Sequence, residues 1–178
     1  MLKHTRRYLA TATVATAAGL AALGGMTAAS ASPVARPAAR ATVSAAVSGT
    51  EHFQLITTSA TSNSARVITY GAFTAPAVDI MGSTTDTFKI AGGSFQIKHG
   101  PGHGKQSFNP RTCLSNINER GNYTLGHGTG KYAGISGHGT YHLIVLLIAA
   151  RSSKGRCSQT KLPLAFQQII TGSGPVHL

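Results

Sequence analysis

Seven histidines follow residue 31, and two pairs of them, His99 with His103 and His138 with His142, have the i, i+4 spacing that chelates a metal ion on a helix. The glycine-flanked stretch around His138 does not read as helix. On a strand the same spacing separates the two imidazoles by roughly 13 Å, at about 3.4 Å per residue, too far for one shared ion. His99 and His103 flank Gly100-Pro101-Gly102, where chelation is geometrically open. Surface or barrel-interior histidine is the stronger reading for all seven, and neither a metal nor a cofactor is expected.

Three other motifs invite chemistry. Gly126-His127-Gly128-Thr129 echoes the histidine segment of subtilisin-like proteases, but a Gly-Thr-Ser nucleophile segment is missing and the chain is too short for that fold. Gly128-Thr129-Gly130-Lys131-Tyr132-Ala133 satisfies a relaxed dinucleotide pattern, yet a strand pattern follows it where a helix is needed, and no acid occurs after Glu119 to hold a ribose. Gly130-Lys131 fails as a phosphate loop because Tyr132 follows it. Only four acids, Glu51, Asp79, Asp86 and Glu119, are available for a carboxylate pair, and sequence spacing does not show that any two meet. No catalytic residue is assigned.

The elements that must carry these residues begin after a leader. Lys3, Arg6 and Arg7 precede an apolar, alanine-rich stretch and the small residues Ala29-Ser30-Ala31, the pattern of a secretory signal peptide over 1–31. Its apolar core is shorter than the roughly 20 residues of a membrane span. Arg6-Arg7 suggests the twin-arginine route, but the residues after it favour the general secretory path. The chain is therefore expected outside the cell. Residues 32–48, rich in Ala, Pro, Arg and Ser, read as a disordered tail, and 49–178 as one domain.

Removing the leader lowers the formal charge of +12 by three, so the exported chain remains strongly basic. Such a chain is drawn to anionic surfaces, with Arg151, Lys154 and Arg156 as the clustered contact candidates for a cell-surface polymer. The other basic residues are scattered singly, the pattern of a solvated surface, and no specific nucleic-acid partner is expected. In an exported chain, Cys113 and Cys157 pair by default, a bridge worth about 4 kcal/mol for the loop they enclose.

From residue 49 onward the pattern is short β-segments: 51–57, 65–73, 87–91, 94–99, 113–118, 121–125, 139–150 and 164–171, with an extra strand near 77–81. About eight strands are implied and no helix beyond one turn within 129–135. Residues 100–111 read as the longest irregular segment and a candidate loop over an opening. Segment 143–150 does not alternate, so both of its faces need apolar surroundings. The outward face then needs a cover: a second copy in a homo-oligomer, or the tail or a loop of the same chain.

Seven of the 21 glycines fall between Gly121 and Gly139, including Gly126, Gly128, Gly130, Gly134, Gly137 and Gly139, directly before that apolar stretch. They read as a tight strand-to-strand connection. Gly121, Tyr123, Gly128, Thr129, Gly130, Tyr132, Ala133, Gly134, Gly137 and Gly139 together resemble the allene oxide cyclase and dirigent group, and the two-cysteine frame is similar to secreted actinobacterial barrel proteins of that type. The resemblance implies an all-β fold, an antiparallel calycin-like β-barrel, often trimeric, that holds an apolar small molecule in its lumen. Phe53, Tyr70, Phe88, Phe95, Tyr123, Tyr141 and Phe166 are the lumen candidates, with a filled interior as the alternative. In plant members such a lumen steers a cyclisation or a radical coupling, so an isomerase or cyclase activity is the rival reading.

Overall fold

The computed structural model describes residues 47–178. The expected leader, and the expected tail up to residue 46, lie outside the described residues; Ser48 already opens the first strand. The described chain is all-β: β1 (Ser48–Thr57), β2 (Ser64–Gly71), β3 (Ala75–Ile80), β4 (Thr85–Ile90), β5 (Gly93–His99), β6 (His103–Asn109), β7 (Leu114–Gly130), β8 (Ser136–Ile148) and β9 (Ala165–His177).

Every pairing is antiparallel, in the order β5-β4-β3-β2-β1-β9-β8-β7-β6, and a further β5–β7 pairing closes eight of the strands into a barrel. Closure removes the free edges that an open sheet would expose. The ninth strand, β6, pairs with Leu114–Arg120 of β7, whereas β5 pairs with the C-terminal half of β7. Thus β5 and β6 lie end to end along one edge of β7, interrupted at Gly100-Pro101-Gly102, where proline has no amide hydrogen for a ladder. Residues 100–111, expected to be irregular, therefore form mostly a strand. The error is physical: Lys105, Gln106, Ser107 and Asn109 give no apolar alternation because β6 is exposed along its whole length. Likewise, 113–118 and 121–125 are parts of one 17-residue strand.

The barrel has two unlike ends. At the first, inward residues Phe53, Phe88, Phe95 and Tyr123 meet Phe73 and Tyr132 with ring centroids 5.3–6.3 Å apart. These are edge and tilted contacts typical of packed aromatic clusters. Val176 and Ile135 complete the plug, and Phe95 and Val176 have no solvent exposure. This end is sealed.

The glycine run serves that packing more than it serves turning. A Cβ on Gly139 would lie 2.5 Å from the Tyr123 hydroxyl, and one on Gly121 would lie 2.6 Å from the Tyr141 ring. Each glycine thus leaves room for a tyrosine on the paired strand, opposite it in register. Left-handed backbone is needed at Gly130 (φ 59°) and Gly134 (φ 89°), which bracket the β7–β8 turn. That turn is made of successive three-residue hydrogen bonds, Thr129 to Tyr132 and Gly130 to Ala133, and forms no helix.

Segment 143–150 places Leu143, Val145 and Leu147 inward, as their pairing with Glu119, Ile117 and Ser115 requires. Ile144, Leu146 and Ile148 point outward, next to Ile169 of β9, which is itself paired with Ile56 of β1. Ile56, Leu146 and Ile148 remain exposed. Cys113 and Cys157 form the expected disulfide, with Cα atoms 5.4 Å apart, and it joins the 149–164 connection to the β6–β7 turn.

Candidate functional site

Alternation decides which polar side chains enter the barrel. Glu51 shares the inward face of β1 with Phe53, and Asp79 that of β3 with Ala77. Asp86 shares the inward face of β4 with Phe88, and Glu119 that of β7 with Tyr123. All four acids of the chain therefore point into the barrel. Among the described residues, no lysine or arginine lies within ion-pair distance of any of them; the sole ion-pair contact is His99 Nε2 to Asp86 Oδ1, at 3.6 Å.

Glu51 belongs to the sealed end. Its Oε2 accepts the Phe73 amide (3.0 Å) and so fixes the β2–β3 turn, while burial raises its pKa against the lowering effect of backbone hydrogen bonds. Its neighbour Tyr123 has a buried hydroxyl without a partner, and its pKa is pushed up to about 12 by burial and then by Glu51.

The other three acids sit toward the second end with His99 and Tyr141. The Tyr141 hydroxyl donates to Glu119 Oε1 at 2.8 Å. Asp86 Oδ1 accepts the Gly82 amide at 2.7 Å in addition to its contact with His99. The His99 and Tyr141 rings lie 6.4 Å apart, edge to face, which brings the two pairs together. Behind them, Asp79 is wholly buried with neither carboxyl oxygen hydrogen-bonded, and its pKa is raised to about 8, first by burial and then by Asp86. Asp79 therefore holds a proton at neutral pH.

Apolar side chains line the approach. Ile117, Leu143, Leu147, Phe166 and Ile170 face inward on β7, β8 and β9 yet stay half-buried, and Phe108 on β6 is 52% exposed. Met81 meets Gln168 across this end, with Nε2 to Sδ 3.4 Å. Ile170, Tyr141 and Met81 pack against the core cluster, while Ile117, Leu143, Leu147 and Phe166 keep partial solvent contact on the inward face. This half-buried inward face, the cup, sets apolar side chains beside the Tyr141–Glu119 and His99–Asp86 pairs.

Six of the seven lumen candidates face inward: Phe53, Phe88, Phe95 and Tyr123 in the plug, Tyr141 and Phe166 in the cup. Tyr70 is a correction: β2 turns Val67 and Thr69 inward and Tyr70 outward, 48% exposed and stacked on His52. Of the basic candidates, Arg151 donates to the backbone oxygens of Gly155 (2.6 Å) and Arg111, so it fastens the connection near the disulfide. Lys154 and Arg156 are exposed. His99 and His103 fall on opposite faces, inward and outward, and do not converge.

The residues that the sequence left unassigned are Asp79, Asp86, His99 and Glu119. Their signal was parity: Asp86 is two residues from Phe88, and Glu119 four from Tyr123, so each shares the face of an aromatic lumen candidate. Neither a protein-family model, nor a curated protein, nor a solved structure matches the chain.

Proposed function

We propose that the protein binds an apolar small molecule in the open end of the barrel. The observation that carries this reading is the half-buried state of inward apolar residues, Ile117, Leu143, Leu147, Phe166 and Ile170, in a fold whose opposite end is packed. The acids refine the ligand class. With Asp86 and Glu119 on the wall and no lysine or arginine paired to either, an anionic head group is repelled, whereas a hydroxyl or amine finds acceptors. The preferred ligand is thus an elongated apolar molecule ending in a neutral or cationic polar group.

Titration with dodecylamine, dodecanol and dodecanoate tests this reading. The amine and alcohol bind at least about tenfold more tightly than the acid, and Leu147→Arg, which places a cation in the mouth, abolishes binding of the amine. Equal affinity for the three ligands, or unchanged binding by Leu147→Arg, contradicts it.

A second reading, an isomerase or cyclase of the kind the glycine pattern resembles, is favoured by one observation. Tyr141–Glu119 and His99–Asp86 are two proton-exchanging pairs facing the same space. A lumen that shapes a reactive molecule and offers a positioned proton donor and acceptor needs no further cofactor to direct ring closure. Under this reading, turnover of an unsaturated epoxide falls at least about tenfold in Tyr141→Phe while the fold persists. Turnover that is indifferent to both Tyr141→Phe and His99→Gln contradicts it.

The outward stripe of Ile56, Leu146 and Ile148 belongs to the same proposal as a self-association surface. Exposed apolar side chains on β1 and β8, which flank β9, are covered most economically by a second copy.

A further inference from the structure

The outer face of the barrel carries a groove of about 600 Å³, lined mostly by outward side chains and reached from the inward set by Phe53 and Tyr141. It crosses β2, β1, β9, β8, β7 and β6 in turn, with Tyr70, His52, Ser173, Thr140, Arg120 and His103 along it. Six adjacent strands at about 4.8 Å spacing give a length of roughly 24 Å. Such a shape suits a linear chain better than a compact molecule.

Its chemistry is one-sided. No carboxylate lines the groove, because all four acids of the chain point into the barrel. The Arg120 guanidinium and the His103 imidazole make no hydrogen bond or ion pair with the described residues. His142 is held by Asn118 Oδ1 at 2.9 Å, and His52 stacks on Tyr70 with centroids 4.9 Å apart and ring planes 12° from parallel. That stack presents a flat, half-exposed aromatic face beside the hydroxyls of Thr140 and Ser173. Flat ring, hydroxyls and an unpaired guanidinium are what a sugar chain with acidic substituents requires: stacking for the ring, hydrogen bonds for its hydroxyls, and a forked donor for the anion.

We infer that this groove binds a linear acidic polysaccharide. The site stands apart from the 151–156 connection, where Arg151 is already engaged with backbone carbonyls. It shares Tyr141 with the cup, but its charged and stacking side chains, Arg120, His103, His52 and Tyr70, all point outward.

The test is calorimetric titration of the full protein with polygalacturonate, its methyl ester and inorganic phosphate. Polygalacturonate binds, and Arg120→Ala weakens it at least about tenfold. Tyr70→Ala weakens it about threefold to tenfold through the lost ring contact, while the double variant Lys154→Ala/Arg156→Ala changes it less than about twofold. The thermal transition confirms that each variant folds. Equal binding of the methyl ester removes the anion from the proposal, and equal binding of phosphate removes the polysaccharide. A loss in Lys154→Ala/Arg156→Ala as large as in Arg120→Ala replaces the groove by diffuse attraction. If Arg120→Ala or Tyr70→Ala changes the molecular mass in solution, a second copy covers the groove and the proposal fails.

Discussion

The two ends of one barrel use the same alternation for opposite purposes. At the sealed end, inward positions hold rings that touch one another, with Phe88 1% and Phe95 0% exposed. At the open end, inward positions hold aliphatic groups that keep partial solvent contact, among them Ile117, Leu143 and Leu147, together with Asp86, His99, Glu119 and Tyr141. The sealed end supplies cohesion, and the open end is free to hold polar and half-wet groups because the plug carries the stability. Asp79 lies behind the cup, buried without a hydrogen bond, a cost that a packed barrel can absorb.

The contrast can be broken by mutation. Phe95→Ala removes a ring that touches Phe53, Phe73, Phe88 and Tyr132, and lowers unfolding free energy by about 3–5 kcal/mol. Phe166→Ala in the cup costs less than about 1.5 kcal/mol, since its surroundings are already open. Urea unfolding of both variants measures the gap, and equal losses would erase the distinction between the ends. Replacing Cys113 and Cys157 with serine costs about 3–4 kcal/mol, read in the same experiment.

Asp79 gives a pH-dependent test of similar size. Its folded pKa of about 8 exceeds the unfolded value of 3.8, so the folded state keeps a proton that the unfolded chain releases. Stability therefore falls as pH rises from about 4 to about 8 and is level above that range. Asp79→Asn removes this loss: it stabilises the protein by several kcal/mol near pH 8, about 1.4 kcal/mol for each pH unit of the interval, and has little effect near pH 4, as thermal melts at the two values would show. A variant less stable than the parent at the higher pH would mean that the carboxylate is used there. The smallest effect concerns the outer face. Leu146→Lys leaves unfolding free energy within about 0.5 kcal/mol but shifts sedimentation toward a single chain if the stripe is the contact between copies.

Much of the strand pattern was legible because buried strands alternate: Phe95 and Ile97 against Gln96 and Lys98 foretold β5. The disulfide followed from two cysteines in a chain with an export pattern. What escaped was whatever depends on partners across the sheet. Strand β6 carries no apolar alternation and is defined only by its pairing with β7. The roles of Gly121 and Gly139 depend on which tyrosine stands opposite each, and the barrel's register decides that. The cup was half visible: the parity of Asp86 and Glu119 was in the sequence, but the closeness of Tyr141 to Glu119, 22 residues away in the chain, was not. Tyr70 shows the same limit, since an aromatic residue on a strand does not reveal which face it occupies until the register is set.

The central claim is that the open end, and not the plug, is the binding space. Methyl NMR of the protein during addition of dodecylamine addresses it directly. The account predicts shifts at Ile117, Leu143, Leu147 and Ile170, with Ile90 and Val176 of the sealed end unmoved, and weak or absent shifts with dodecanoate. Shifts centred on Ile90 and Val176, or on the outward residues Ile56, Ile144 and Ile148, would contradict it.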